Sequence, residues 1–449
     1  MRYRLCLLLT VVAMIAGATT AIAAPIVLDV RASQPEYMAK ERQVWDLFES
    51  ENPGIKINLF SVNEDEEAAF NARLAAGNPP AINLHAYAQS VPQSENLMDL
   101  RTIDFKWWGN FTYDVKNAWK NQFGVDKLPI LQYAAGPLAS FIYYKDEMAK
   151  SGLDPQSIRT VSDLDTFLGK LKKYVDGRSD LRYVIAAGWH PWCWPYQFMS
   201  HLITVFDPQA QAKVAKLFTG KAKWTDLANN PYVPAFAKLK DWYDKGYLPK
   251  QFWTLAWEDD FEAAFIGHKA IMTFHGPWLW DKVEAANPSA QLSGFPLPAN
   301  SAGKIQAFPP DVTQGPGIYK DVAKNPEMFT AVVRAWNFYF SPAAMKLLVE
   351  SLGQVPAMNL SAVGGANLKA AQFLTVIKAV DSGNFGKAKW DYSSFGADAG
   401  SPYYIEGRQS PVNSDALAEI WGNYFSGKKN MAGLMSDLQK MYDDAFKVK

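Results

Sequence analysis

The sequence predicts an α/β protein made of two lobes. Three observations point there. Strand-like and helix-like segments alternate from residue 26 to 84, the alternation restarts at residue 140, and 449 residues are enough for two or three ordinary domains. The fold must hold by its apolar cores, because the chain has two cysteines, one of them inside an N-terminal leader.

That leader has the three parts of a secretory signal peptide. Arg2 and Arg4 give the charged start, Leu5 to Ala18 an apolar stretch short for a bilayer, and Ala21-Ile22-Ala23 a small-x-small cleavage pattern. Residues 1–23 are expected to be removed, leaving a chain that starts at Ala24 in the periplasm or an equivalent compartment. Cys6 lies within the apolar stretch and not at the cleavage point, so no lipid anchor is expected. The remaining 43 basic and 45 acidic residues offer nothing to nucleic acid or an anionic membrane. Cys193, between Trp192 and Trp194, is then the lone thiol, expected to be buried and inert.

The elements follow in order. Ile26 to Val30 is β-branched and apolar, a short buried strand followed by a polar loop from Arg31 to Pro35. Val44, Leu47 and Phe48 fall on one helical face, and Glu51-Asn52-Pro53-Gly54 stops that helix before an alternating strand from Ile55 to Leu59. A second helix from about Asp65 to Ala76 closes at Gly77 and leads to an apolar run from Ala81 to Leu84, which implies a mainly parallel sheet covered by helices. Ser140 to Tyr144 reads as a strand, Ser162 as the cap of a helix through Tyr174, and Tyr183 to Ala187 as another strand. Asn325 and Ser341 each precede a proline, the arrangement that starts helices at Pro326 and Pro342. Leu434, Leu438, Met441, Tyr442 and Phe446 give the last helix one apolar face.

Motifs for chemistry are mostly missing. There is no Gly-x-Ser-x-Gly elbow, no phosphate loop and no dinucleotide fingerprint, and the five histidines never fall at metal-ligand spacing, so neither cofactor nor metal is expected. Glu258, Asp259, Asp260 and Glu262 follow Trp257 and include a pair of carboxylates that a glycosidase would need. Acidic residues in a first helical turn also offset the macrodipole, and Phe261, Ala264 and Phe265 continue a helix here, which favours capping over catalysis. Aromatic residues make up 14% of the chain, 16 of them Trp, a surplus that fits a site stacking on the C–H faces of a pyranose.

One segment is more specific. Phe265-Ile266-Gly267-His268-Lys269-Ala270-Ile271-Met272, then Gly276-Pro277-Trp278, closely resembles a segment of family 1 extracellular solute-binding proteins, the group that includes maltose-binding protein. Further matches stand in the order that family requires: Glu49 to Ile57, Ala75 to Pro80, Ile142 to Asp146 with Gly152 to Pro155, Thr160 to Leu164, Gly294 to Pro298 and Gly353 to Pro356. Ala81 replaces a common acidic residue, and Val161 a common tryptophan. The resemblance implies a type II periplasmic-binding-protein fold, two α/β lobes joined by crossing hinge strands, with residues 24–136 and 300–350 in one lobe and 137–299 and 351–449 in the other. It implies a non-enzymatic, monomeric binding component of an ABC transporter that closes on a mono- or oligosaccharide and presents it to the permease subunits.

The resemblance places Trp278 at a strand end as a stacking platform, Trp192 as a second platform, and His85 and Tyr87 as first-lobe contacts after the Ala81 to Leu84 strand. Of the neighbours of Trp192, Trp189 or Trp194 is expected to be buried. Gln34 and Glu36, in the loop after the first strand, are candidates to bond hydroxyls; Trp257 and Glu258 offer a stack beside an acceptor; Asp311 is a candidate acceptor and Arg408 a candidate donor. Two other readings stay open: a secreted glycosidase using the acidic cluster, and a binder of a polyol phosphate or a polyamine.

Overall fold

The computed structural model describes residues 24–62, 66–88, 94–111, 114–123, 125–131, 140–190, 192–207, 209–218, 220–276, 279–298, 305–307, 314–352, 357–359, 361–363, 385–387 and 414–447. Residues 1–23, expected to form a signal peptide, with Trp278, Asp311, Arg408 and Gly353 to Pro356, lie outside these residues, and Trp192 is described in its backbone alone.

Strand β1 (Ile26–Arg31) buries Leu28 and Val30 and leaves Val27 outward, the period of two that a half-buried strand requires. A short 3₁₀ turn, Pro35–Tyr37, leads into α1 (Met38–Glu51). Its buried seam is Glu41, Val44, Trp45 and Phe48, spaced three, one and three apart. Leu47, expected on that face, points to solvent instead, because Trp45 takes the inward position and rotates the seam. Strand β2 (Ile55–Phe60) pairs parallel with β1, Ile26 opposite Ile55. Helix α2 (Glu67–Ala75) ends at Gly77, whose φ of 74° only glycine adopts readily. Strand β3 (Ile82–Tyr87) also pairs parallel with β1. It runs three residues past Leu84, so His85 and Tyr87 belong to the strand and do not follow it.

The second sheet starts at β4 (Ser140–Tyr144). Helix α3 (Val161–Asp176) is capped by Thr160, not Ser162: the Thr160 hydroxyl accepts from the Asp163 amide while the Asp163 carboxylate accepts from the Thr160 amide. Then come β5 (Tyr183–Ala186), β6 (Ala270–His275), α4 (Leu279–Ala286) and β7 (Leu292–Phe295), in the order β5-β6-β4-β7. Only β5 and β6 are parallel in this sheet; β4 runs against both β6 and β7.

Strand β8 (Ile305–Ala307) pairs parallel with a late strand, Phe385–Lys387. Strand β9 (Gln314–Ile318) returns antiparallel to β3 and completes the first sheet in the order β2-β1-β3-β9. Helix α5 (Pro326–Tyr339) starts as expected, with the Asn325 side-chain oxygen Oδ1 accepting from the amides of Glu327 and Met328, and α6 (Pro342–Leu352) follows. Both return to the first core, where Tyr339 stacks on Trp45 at 5.2 Å. Helices α7 (Ser414–Phe425) and α8 (Met431–Lys447) pack on the second core through Trp421, Leu434, Leu438 and Tyr442. Among the described residues two hydrophobic cores result, one around each four-stranded sheet. Seven tryptophans, at 45, 119, 194, 224, 242, 336 and 421, are fully buried, so much of the tryptophan surplus is packing. Among the described residues, no helix is long and apolar enough to cross a membrane.

Candidate functional site

Both sheets present polar and aromatic side chains at the carboxyl ends of their parallel strands, the edge at which open α/β sheets hold ligands. In the first lobe this edge carries a hub on His85. Its ring is nearly buried, with Nε2 at 2.9 Å from the Tyr87 hydroxyl and Nδ1 at 3.3 Å from Gln34 Nε2. Gln314, opposite Tyr87 in the antiparallel register of β3 and β9, brings Nε2 to 2.9 Å from Nδ1 and 2.6 Å from Nε2 of the same ring. Three expected residues, Gln34, His85 and Tyr87, are thus brought together. Gln314 was missed, although it falls in the same loop string as Asp311; its signal would have been the strand pairing, which a single chain segment does not reveal.

In the second lobe, β5 ends before Gly188-Trp189-His190 and β6 ends at His275. Trp257 opens a π-helical turn, Trp257–Glu262, that packs against both strand ends. Its ring is half-buried and lies 4.7 Å from the His190 ring and 4.6 Å from the His275 ring. Gly188 makes the approach possible: a Cβ there would stand 2.6 Å from Phe261 Cβ and 3.0 Å from the Leu255 carbonyl oxygen. The Trp189 amide donates to that same carbonyl at 2.8 Å.

Below Trp257 lies a buried charged network. Glu262 accepts from Lys282 at 2.6 Å and stands 3.0 Å from His275 Nε2, while Lys282 also reaches Glu258 at 3.3 Å. Burial pushes the Glu262 carboxyl up, but His275 and Lys282 together outweigh it and hold the group below the ordinary glutamate range. Glu258 itself is exposed, and Asp260 accepts from the Ala256 amide at 2.8 Å, a capping contact as the acidic pattern suggested. Nothing in the sequence marked Glu262 as different from its three acidic neighbours, since burial of one carboxylate depends on the strand end behind it.

The lobes meet here. Burial raises the Glu36 carboxyl of the first lobe, and charges of the second, Lys282, Glu262 and Glu258, also act on it. Lys40 on α1 donates to Asp281 at the start of α4 and to the Ser351 carbonyl oxygen at 2.7 Å. Trp194 and Cys193 are fully buried, and the Cys193 thiol donates to the Phe274 carbonyl oxygen at 3.3 Å. A separate cavity of about 750 Å³ in the first lobe is lined by Arg31, Phe70, Asn83, Tyr87 and Tyr319 and touches the hub only through Tyr87. Asp146, Glu147 and His268 could together face a metal ion, but Lys150 and Arg178 already occupy the Glu147 carboxylate at 2.7 and 3.2 Å.

The profile of a bacterial extracellular solute-binding protein family matches residues 43–375, about three quarters of the chain. The chain belongs to that family. A solute-binding protein binds and does not turn over its ligand, which removes the glycosidase reading of the acidic cluster. No curated protein sequence matches this solute-binding protein. Its fold is similar to that of RafE in complex with raffinose, with a TM-score of 0.66 and 17% identity over 94% of this chain and 99% of the other. It is also similar to a chitin oligosaccharide binding protein, at 0.64 and 22% over 94% and 99%, and to maltose-bound MalE3 of T. maritima, at 0.63 and 15% over 93% and 99%. The solute-binding protein therefore has the periplasmic-binding-protein fold, two α/β lobes with the chain crossing between them.

Proposed function

We propose that this solute-binding protein captures a mono- or oligosaccharide between its lobes and delivers it to the permease of an ABC importer. The observation that carries the reading is that a half-buried tryptophan, Trp257, stands at the strand ends of the second lobe and a hub of hydroxyl, amide and imidazole groups on His85 at the strand ends of the first. A pyranose has that duality, with C–H faces that stack and hydroxyls at its edge that both donate and accept. Glu36, Glu258 and the residues outside the description, Trp278, Asp311 and Arg408, with the Trp192 side chain, belong to the same proposed site. The raffinose, maltose and chitin-oligosaccharide ligands of the fold's relatives support this ligand class.

Export through the leader at residues 1–23, action as a periplasmic monomer, and lobes formed by 24–136 with 300–350 and 137–299 with 351–449 complete the proposal. A polyamine is the weaker ligand, because Lys282 already places a cation beside Glu258. A polyol phosphate is weaker too, because Lys282 is committed to Glu262 and Lys40 to Asp281.

A thermal-shift and tryptophan-fluorescence screen over raffinose, maltose, chitobiose, monosaccharides, glycerol phosphodiesters and putrescine tests the reading. A saturable rise in melting temperature for at least one sugar is expected. A response to putrescine or a phosphodiester alone would overturn it.

A further inference from the structure

Glu41 occupies a core position on α1, in the seam with Val44, Trp45 and Phe48, and its side chain is fully buried. A carboxylate in such a place is expensive unless its oxygens are satisfied. Among the described residues its partners are few and specific. Both oxygens accept from the Ser33 amide, at 3.0 and 3.3 Å, one accepts from the Ser33 hydroxyl, and the Tyr339 hydroxyl of α5 stands at 3.5 Å. None of these partners is a cation. Ser33 is the residue immediately before Gln34, which touches His85, and three before Glu36, whose carboxyl feels the Lys282 charge of the other lobe.

We propose that Glu41 is a positioning residue, whose carboxylate clamps Ser33 to the body of the first lobe and so sets where Gln34 and Glu36 stand at the proposed sugar site. An ionised carboxylate is an acceptor alone and matches the two donors of Ser33. A neutral acid still pairs with Ser33, its O–H donating to the hydroxyl oxygen and its carbonyl oxygen accepting from the amide, but these bonds lose the charge that strengthens them. The clamp is therefore strong in one charge state and weak in the other, and affinity follows it. Burial lifts the Glu41 carboxyl to about 7, with the Ser33 bonds opposing and the Glu36 charge adding to the rise, which puts the change in the neutral range. The titratable groups nearby are Glu36 on the loop, Tyr339 on α5, and Lys40, which is directed away to Asp281 and Ser351. His85 faces the same loop through Gln34.

The clamp rests on the proposed site for its effect on binding but not for its own existence, and the test separates the two. Glu41→Gln keeps one acceptor, presents an amide donor in place of the other, and leaves the core filled, so it mimics the neutral acid at every pH. The amide signal of Ser33 in a 1H–15N spectrum should titrate between pH 5.5 and 8.5 with a midpoint near 7 in the wild type and stay flat in E41Q. With the best binder among raffinose, maltose and chitobiose, Kd of E41Q should be about fivefold above wild type at pH 8.5, and the ratio should close to near one at pH 5.5. Protonation elsewhere in the molecule is common to both proteins and cancels in that ratio. A Ser33 signal that ignores pH, or a ratio that stays near one at pH 8.5, overturns the proposal. If no sugar binds, the ligand class falls, and the Ser33 titration alone decides the clamp.

Discussion

Trp257 packs against two imidazoles, His190 from the loop after β5 and His275 at the end of β6, contacts that restrain its indole in the absence of a ligand. An aromatic contact of this kind contributes about 0.5–1.5 kcal/mol beyond the area it covers. Trp257→Ala should therefore weaken sugar binding about tenfold or more while leaving the melting temperature of the unliganded protein within a few degrees, as isothermal titration and a thermal melt would show. His85→Ala should act similarly by releasing Gln34, Tyr87 and Gln314 together, whereas Glu258→Gln, at an exposed side chain, should change affinity less than threefold. Of the residues that the sequence nominated, Gln34, His85 and Tyr87 meet in space because β1 and β3 are neighbours, a fact the alternation of strands already suggested. The charged network of Glu262, His275 and Lys282 was not legible, because its members come from three elements whose contact no local pattern encodes.

At the scale of elements, the sequence read well where one residue type has one job. Asn325 before Pro326 and Gly77 after α2 mark their helix ends, and alternation in Ile55 to Phe60 marks a strand. It read poorly where two neighbours compete. Leu47 and Trp45 both suit an apolar seam, and only packing against Tyr339 chooses the tryptophan. Thr160 and Ser162 both suit a cap, and Asp163, three residues after Thr160, decides for the threonine by closing the reciprocal bond. Thr160→Ala should accordingly cost about 1 kcal/mol in a urea titration. The closest element contact bearing on the site is that of Gly188 with the turn carrying Trp257. Gly188→Ala places a Cβ 2.6 Å from Phe261 Cβ, so it should destabilise the protein by about 1–3 kcal/mol and, by moving the turn, lower sugar affinity as well.

Across the whole molecule, two buried titratable groups in different lobes pull stability in opposite directions. Glu41 is raised by burial from 4.5 to about 7, so the folded state keeps a proton that the unfolded chain gives up. Its contribution is present below pH 4.5 and is lost as pH rises to 7, about 3 kcal/mol in all. His201 is lowered by burial from 6.5 to about 4, so the unfolded chain binds the proton first. Its contribution is present above pH 6.5 and is lost as pH falls to 4, again about 3 kcal/mol. Between pH 4.5 and 6.5 the two slopes oppose each other. E41Q removes one of them, so its stability relative to wild type should grow as pH rises through that window, read as a diverging pair of urea midpoints.

Cys193 lies under the second sheet with its thiol raised well above the ordinary value by burial and engaged with Phe274, and the other cysteine of the chain is Cys6, within the segment proposed to be removed on export. Dyes that attack thiolates should therefore pass the folded protein by. A cysteine introduced on an exposed face of each lobe, at Leu47 and Leu227 for instance, would take up fluorophores cleanly. The distance between them would then report directly, molecule by molecule, whether the lobes close when a sugar is added, as the proposed function expects.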